Sequence, residues 1–389
     1  MPWMHEVAIT TADRDRRLDK FLLMYLNNAS RSFIYKLLRK KRIKLNGKRA
    51  DGGELLQTGD ILRFYLSQET LSACRKERTV DPMFTGRKAA SPEVDGRGNL
   101  SSWGEMPSGS NVLVSDPLDI VFEDEHLLVV NKPAGMPSHG GMTGKDIHLL
   151  ALVLHYLRES GAYPTDAAFV PALCNRLDVN TSGLVICGKN YQALRAVNTI
   201  FADASTIPEA YTHAATTKSM RNVPGSAVVK EYLAVVDGEI RGSATLEGYY
   251  QKDTAANIAK ITNASCAAVA SAADEANTDA PLVITAYKSL AVSKGRTLLS
   301  VSPMTGRSHQ IRAHLAAIGH PLSGDKKYGG RPISYAKAQL LHCRCLTLAE
   351  HSGLPYTGGI TWTADPPENF TRCLQELFNF AIEEISMHI

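Results

Sequence analysis

Two polar stretches of this sequence carry residue types that could do chemistry. The first, RLDVNTSG at residues 176–183, places an Arg and an Asp two positions apart at the start of a small-residue turn, between the apolar runs FVPALC and LVIC. An Asp in such a turn is most often a cap or an Asx turn. It can also be a reactive carboxylate held against a substrate. The turn alone leaves both interpretations open.

The second stretch, TGRSHQIRAHLAAIGHPLSGDKKYGG at residues 305–330, crowds polar groups at the start of a predicted helix, HQIRAHLAAIG. These groups are Arg307, His309, Gln310 and Arg312. Helix N-termini bind anions, and a guanidinium offers a fork that suits carboxylate or phosphate. Buried or half-buried cations need a negative partner. The candidates are Asp178 and the phosphates of an RNA.

Metal and cofactor sites are not indicated by the other motifs. His309 and His314 are five residues apart and no Glu follows His309, so the helical metalloprotease pattern is not met. The stretch LHCRCLTL, residues 341–348, alternates as a strand would, and no paired CxxC knuckle accompanies it. Neither a dinucleotide nor a P-loop glycine pattern occurs, nor a GxSxG elbow. The sequence therefore predicts no metal and no cofactor.

A basic segment near the start indicates a nucleic-acid partner. The net charge of the whole chain is only +4, but residues 20–50 hold ten Lys or Arg and no Asp or Glu. Apolar residues with helical spacing, an N-cap at Ser30 or Ser32, the turn in IKLNGK and the strand GDILRFYL predict two helices and a hairpin. Such a basic face could neutralise several phosphates. The alternative is a solvated charged helix.

The length of 389 residues favours more than one domain. Residues 71–112 are rich in Ser, Gly and Pro and read as a flexible linker. From residue 113 to 389, short strands with fewer helices favour an α+β domain with a mixed sheet. Two segments, near 202–226 and 252–280, read as insertions, the second partly helical or poorly ordered.

The seven cysteines show no framework spacing, which favours a reducing compartment. The first residues lack a signal-peptide pattern, and no run of eighteen apolar residues occurs. We therefore predict a cytoplasmic protein without a membrane partner. No exposed apolar helix is evident, so a monomer is the default expectation.

Five motifs, in order, resemble the pseudouridine synthases of the large-subunit rRNA type. They are NKPAGMPSHGG, NRLDVNTSGLVICGKN, KEYLAVVDG, TGRSHQIRAHLAAIGHPLSGDKKYGG and LLHCRCLTL, spread over residues 116–370. Residues 15–68 resemble the small S4-like RNA-binding module that often accompanies such enzymes. The resemblance implies a small α/β RNA-binding module at residues 15–70 and an α+β catalytic domain whose mixed, mainly antiparallel central sheet is crossed by a cleft.

The resemblance also implies roles for single residues. Asp178 matches the catalytic aspartate, Tyr232 the ring that stacks on the target base, and Arg312 the arginine that pairs with the aspartate. Arg176 matches an arginine that fills the space left by a flipped base. The other predicted RNA-binding residues are Arg307, His309, Arg31, Lys36, Arg39, Lys40, Lys41, Arg42, Lys44 and Lys48. One departure is Asn175, where the family usually has His, so any role of that side chain beyond positioning is in question.

The predicted function is isomerisation of specific uridines, in large-subunit rRNA or alternatively in tRNA, through base flipping and an aspartate-dependent mechanism. Stacking on Tyr232 would offset part of the cost of flipping. A different class of function is a catalytically inactive RNA-binding or ribosome-assembly protein. A third is a hydrolase that uses the same Asp and releases free base.

Overall fold

The structure is a computed structural model that describes residues 4–75, 93–94, 100–101, 118–140, 147–163, 169–203, 228–266 and 280–379. Most of the predicted linker, of the insertion near 202–226 and of the second half of the insertion near 252–280 lies outside the described residues. The described residues divide into a small front module and a larger domain built on one extended sheet.

The front module packs helices α1 (Leu18–Tyr25), α2 (Arg31–Arg39) and α3 (Gln68–Cys74) against a four-stranded sheet. Its strands are β1 (His5–Ala8), β2 (Ile43–Leu45), β3 (Lys48–Arg49) and β4 (Ile61–Phe64), in the order β1-β4-β2-β3. The predicted cap at Ser30 is confirmed, because its hydroxyl accepts the Phe33 N–H at 3.3 Å. Asn46 and Gly47 form the predicted turn, both with positive φ. Helix α3 extends into the predicted linker.

Among the described residues, the larger domain has an eleven-stranded sheet. Its strands are β7 (Ile120–Glu123), β8 (Leu127–Lys132), β9 (Ala172–Leu173), β10 (Ser182–Gly188), β11 (Val228–Asp237), β12 (Ser243–Asp253), β13 (Ile258–Cys266), β14 (Leu282–Ser293), β15 (Arg296–Pro303), β16 (Leu341–Leu348) and β17 (Ile360–Thr363). A separate short pair joins β5 (Glu93–Val94) and β6 (Leu100–Ser101).

The order of the main path is β13-β12-β14-β15-β11-β16-β10-β8-β7, with β17 beside β16 and β9 beside β10. Every pairing among the described strands is antiparallel except that of β10 with β16, which is parallel. The α+β fold with a mixed, mainly antiparallel sheet is therefore confirmed. Strand β13 shows that the first half of the segment near 252–280 continues this sheet instead of forming a helix.

Helices cover both faces of the sheet. Alternate residues of β11 point to opposite faces, and Tyr232, Ala234 and Val236 join one core with helices α4 (Leu149–Glu159), α5 (Tyr191–Asp203) and α6 (Gln310–Ala317). Leu233 and Val235 join a second core with helix α7 (Glu368–Phe378). Tyr232 therefore faces the side of the sheet that carries α6, which begins in the second polar stretch of the sequence.

Candidate active site

One cavity, of about 590 Å³, gathers the residues to which the sequence analysis assigns chemistry. The 175–181 loop, strand β11, the segment before α6 and strand β12 contribute to its lining. The predicted residues that line it are Asp178, Tyr232, Arg312, Arg176, Arg307 and His309. Three separate stretches of the sequence thus meet in one cleft.

The Asp178 side chain reaches across the cleft. The backbone oxygen of Asp178 accepts the Thr181 N–H at 3.0 Å, which closes the turn. Its carboxylate instead accepts a hydrogen bond from Arg312 Nη1 at 3.0 Å, and it lies 3.7 Å from His309 Nε2. The side chain is about a quarter exposed, at 24%. Asp178 is therefore placed where a ligand in the cavity can reach its carboxylate.

Both polar atoms of the Asn175 side chain form hydrogen bonds with the backbone of β10. Its side-chain amide donates to the Leu184 carbonyl at 3.1 Å, and its side-chain oxygen accepts the Ile186 N–H at 2.8 Å. An amide fits both bonds because it is a donor at one end and an acceptor at the other. This geometry gives Asn175 a positioning role and no free polar atom for proton transfer.

Arg312 is held by a second carboxylate that the sequence analysis did not single out. Its Nε and Nη2 donate to the two oxygens of Asp325 at 2.7 and 2.9 Å, which leaves Nη1 for Asp178. Burial alone would lower the pKa of Arg312, but the hydrogen bonds and charges of Asp325 and Asp178 outweigh it and raise the pKa. The bidentate pair fixes the guanidinium plane, so Arg312 presents one defined N–H to Asp178.

His309 and Tyr328 form a second layer around this pair. His309 is the N-cap of α6 and has a left-handed backbone, φ 57°, which is uncommon for a residue with a Cβ. Its Nδ1 lies 3.0 Å from the Tyr328 hydroxyl, which accepts the Ala259 N–H of β13 at 2.9 Å. Burial lowers the pKa of His309, and the charge of Asp178 opposes that shift. The contact with Tyr328 makes His309 a hydrogen-bonding group of the site.

Gln310 shapes the segment that carries Arg307 and His309. Its side-chain oxygen accepts from the Thr305 hydroxyl at 2.8 Å and from the Arg307 N–H at 3.1 Å. Its amide nitrogen donates to the Ile284 carbonyl of β14 at 3.0 Å. The segment before α6 is therefore tied to the sheet, and the exposed Arg307 side chain extends from a fixed backbone.

Tyr232 forms part of the cavity floor. The residue is 8% exposed, and burial raises the pKa of its hydroxyl well above the ordinary value. It lies on β11, opposite Val301 of β15 on one side and Cys343 of β16 on the other. An un-ionised ring on a central strand offers a rigid apolar surface to a planar ligand.

Lys132 contacts the loop that carries Asp178 through a hydrogen bond to the Val179 carbonyl. This fully buried ammonium donates to the carbonyls of Pro133, Met136 and Val179 at 2.8, 2.8 and 3.1 Å. Burial lowers the pKa of Lys132 to about 7, against the opposing charge of Asp178. Because Val179 follows Asp178, Lys132 ties the NKPAG segment to the loop that carries the carboxylate.

The glycine that ends the RLDVNTSG stretch, Gly183, is required for a steric reason. Gly183 on β10 has φ +117°, and a Cβ there would lie 2.3 Å from the Cys343 carbonyl oxygen of β16. The hydroxyl of the neighbouring Ser182 lies 2.9 Å from Nδ1 of the buried His342. The parallel pairing of β10 with β16 therefore requires a residue without a side chain at position 183.

We expect Gly183→Ala to lower the free energy of unfolding by on the order of 3 kcal/mol, because backbone strain and a clash with β16 add. Gly242→Ala is the matched control. Gly242 has φ +80° but nothing within 4 Å of an added Cβ, so its cost should be about 1 kcal/mol. Urea unfolding of both variants measures the difference. Equal losses would show that the close approach to β16 does not matter.

The predicted RNA-binding residues of the front module lie outside the cleft. Arg31, Lys36 and Arg39 are exposed on α2, and Lys48 is exposed on β3. Lys40, Lys41, Arg42 and Lys44 line a separate open cavity of about 470 Å³ together with Tyr65. We call these four cations the basic cluster. The Lys44 ammonium lies 5.2 Å from the centre of the Tyr65 ring. The structure thus places these cations on the front module, and none of them lines the cavity that Asp178 lines.

Several functional candidates were missed by the sequence analysis. Asp325 and Tyr328 lie in the GDKKYGG motif, which was quoted without a role for either residue. Lys132 lies in NKPAG, and Tyr250 lies next to a segment interpreted as an insertion. Only the two motifs gave any sequence signal. In the described part of the chain, no group of three His, Cys, Asp or Glu side chains is arranged to hold a metal ion, and no helix is long and apolar enough to cross a membrane.

Two family models match parts of this chain. The family model described as RNA pseudouridylate synthase matches residues 126–317, and the S4 domain model matches residues 16–62. Among solved structures, human RNA Pseudouridylate Synthase Domain Containing 4 is 20% identical, with a TM-score of 0.46 over 66% of this chain and 91% of that chain. Human RNA Pseudouridylate Synthase Domain Containing 1 is 19% identical, with a TM-score of 0.47 over 70% and 94%.

Similar sequences extend over nearly the full length. Ribosomal large subunit pseudouridine synthase C of Escherichia coli strain K12 is 28% identical over 387 residues, 97% of this chain and 98% of the relative. The protein of the same name from Vibrio vulnificus strain CMCP6 is 28% identical over 338 residues, 86% of this chain and 84% of the relative. With both family models matched in the predicted order, residues 126–317 of the chain belong to the RNA pseudouridylate synthase family, and an S4 domain lies in front of them at residues 16–62.

Proposed function

We propose that this RNA pseudouridine synthase isomerises specific uridines of large-subunit ribosomal RNA, with Asp178 as its catalytic carboxylate. The observation that carries the assignment is the 3.0 Å hydrogen bond from Arg312 to Asp178 at the edge of a cavity floored by Tyr232. The ribosomal substrate is supported by the names of the relatives from Escherichia coli and Vibrio vulnificus. The S4 domain supports a structured RNA partner.

The reaction exchanges one bond for another within a single nucleotide. The bond from ribose C1′ to uracil N1 breaks, the bond from C1′ to C5 forms, the C5 proton leaves, and N1 gains a proton. An ionised Asp178 can attack the sugar, attack the base or take a proton from the sugar. Arg312 stabilises the charged form because the two groups attract by on the order of 4 kcal/mol at an effective dielectric near 20.

The target uridine must leave its stack to reach Asp178. Flipping costs a few kcal/mol, and stacking on an aromatic ring returns about 1–3 kcal/mol. We assign that ring to Tyr232. Arg176, which is exposed at the rim, is assigned to the gap that the flipped base leaves. Arg307 and His309 are assigned to contacts with the same RNA.

The basic cluster contributes to RNA affinity through phosphate contacts and does not select the uridine that is modified. We expect the triple variant Lys40→Gln, Lys41→Gln, Lys44→Gln to weaken binding to a ribosomal RNA fragment. It should also reduce the slope of log affinity against log salt by about 2, because three phosphate contacts are lost. Lys337→Gln, an exposed cation of the synthase domain, is the control and should leave the slope unchanged. Filter binding across a salt series measures both. A triple variant with the wild-type slope would refute the assignment of this cluster to phosphate binding.

Tritium release from RNA labelled at uridine C5 tests the function and separates the alternatives. The purified protein should release tritium from large-subunit ribosomal RNA and not from transfer RNA. A hydrolase would release labelled free uracil, and an inactive RNA-binding protein would release nothing. Tritium release from transfer RNA alone would show that the substrate is transfer RNA and not ribosomal RNA. We also assign the protein to the cytoplasm, because the relatives from Escherichia coli and Vibrio vulnificus are bacterial, and expect a monomer by light scattering.

A further inference from the structure

A second tyrosine ring lines the cavity and has no part in the mechanism above. Tyr250 lies on β12, in the hairpin that β12 forms with β13, and its half-buried side chain contributes to the same cavity as Asp178 and Tyr232. Burial raises the pKa of Tyr250, and the charges of Arg307 and Asp178 both act on its hydroxyl. Tyr250, Arg307 and Asp178 all line this one cavity.

The Tyr250 side chain is anchored in place. Its hydroxyl donates to the Ser308 carbonyl at 3.1 Å, and its backbone N–H donates to the Pro281 carbonyl at 2.9 Å. Because the hydroxyl donates its proton to Ser308, it can offer a ligand only acceptor lone pairs, and the ring is the larger surface that remains. A tyrosine has few rotatable bonds, so a fixed ring gives contact area at low cost in conformational entropy.

The two tyrosine rings that line the cavity differ in accessibility. Tyr232 is nearly buried in the floor, whereas Tyr250 belongs to an arm at the edge of the sheet and is partly exposed. The neighbouring Tyr249 is 36% exposed and points to the opposite face of the strand. The hairpin thus directs one of two adjacent aromatic rings into the cleft and the other away from it.

We propose that Tyr250 is a second aromatic contact for the flipped uridine, a substrate-positioning residue that holds the nucleotide against Asp178 from the hairpin side. This inference rests on the proposed function, because it needs a uridine in the cleft. Aromatic rings recognise any base through its π face, so Tyr250 orients the nucleotide while other groups supply base selectivity.

Single-turnover tritium release with the full-length protein and large-subunit ribosomal RNA tests this role. Tyr250→Leu should slow the rate at saturating RNA roughly 10-fold or more, because a stacked ring is lost. Its affinity for the RNA should stay within about twofold, since phosphate contacts dominate binding. Tyr250→Phe keeps the ring and should stay within about threefold of wild type. Tyr249→Leu is the matched control and should not change the rate.

The Phe variant separates substrate contact from structural support. If Tyr250 served only to tie the hairpin to Ser308, Phe would be as slow as Leu, and that result would overturn the inference. A Leu variant within twofold of the wild-type rate would overturn it as well, while the proposed function stood. A wild-type protein that released no tritium would refute the proposed function and this inference with it.

Discussion

Asp178→Asn is expected to lower the rate of tritium release by on the order of 10³-fold or more, as the loss of an essential catalytic group does in other enzymes. The amide has the shape of the carboxylate but lacks its charge and basicity. Its oxygen can still accept the Arg312 N–H. The side chain is partly exposed and its backbone turn is closed by Thr181. Folding and RNA affinity should therefore be unchanged.

A carboxylate in an ion pair outside the cleft provides the control. The Asp365 Oδ1 atom lies 3.3 Å from Arg344 Nη1, and the Asp365 side chain is 75% exposed. Asp365→Asn should turn over at the wild-type rate, and both variants should unfold at the wild-type urea concentration. If Asp178→Asn kept more than a tenth of the wild-type rate, the carboxylate would not be the reacting group.

Arg312→Met is expected to damage both stability and catalysis. It leaves the carboxylate of Asp325, which is 2% exposed, without its bidentate partner, and it leaves Asp178 without its guanidinium. Breaking a buried pair in this way costs about 3–5 kcal/mol. Loss of the charge next to Asp178 should slow turnover by roughly 10²-fold or more.

A double variant separates the two effects. Adding Asp325→Asn to Arg312→Met removes the uncompensated buried charge, so we expect it to recover much of the lost stability. It cannot restore the cation beside Asp178, so the turnover rate should remain low. Recovery of turnover in the double variant, or a loss of stability below 1 kcal/mol in the single one, would contradict the role given to Arg312.

Local patterns in the sequence were enough to predict much of the framework. The cap at Ser30 and the Asn46–Gly47 turn each follow from the conformational preferences of a few adjacent residues. The strand at residues 258–266 was harder to predict from the sequence. Its Ala, Asn and Ser content resembles that of a poorly ordered insertion, and only pairing with β12 makes it a strand. Edge strands depend on such tertiary contacts more than on composition.

The candidate site was predictable only in part. Asp178 and Arg312 stand 134 residues apart, so no local rule joins them, and the resemblance to the synthase family supplied the pairing. The Asp325 fork and the three carbonyls around Lys132 exist only after the loops have packed. Tyr250 gave no signal, because a strand Tyr in sequence looks the same whether it faces a cleft or, like Tyr249, the other side.

Carbodiimide mapping of pseudouridine in cellular ribosomal RNA tests the central assignment most directly. RNA from cells that lack this protein should miss modification at specific uridines of the large subunit. A wild-type copy of the gene should restore those positions, and an Asp178→Asn copy expressed at the same level should not. An unchanged map in cells without the protein, or full restoration by Asp178→Asn, would contradict the account.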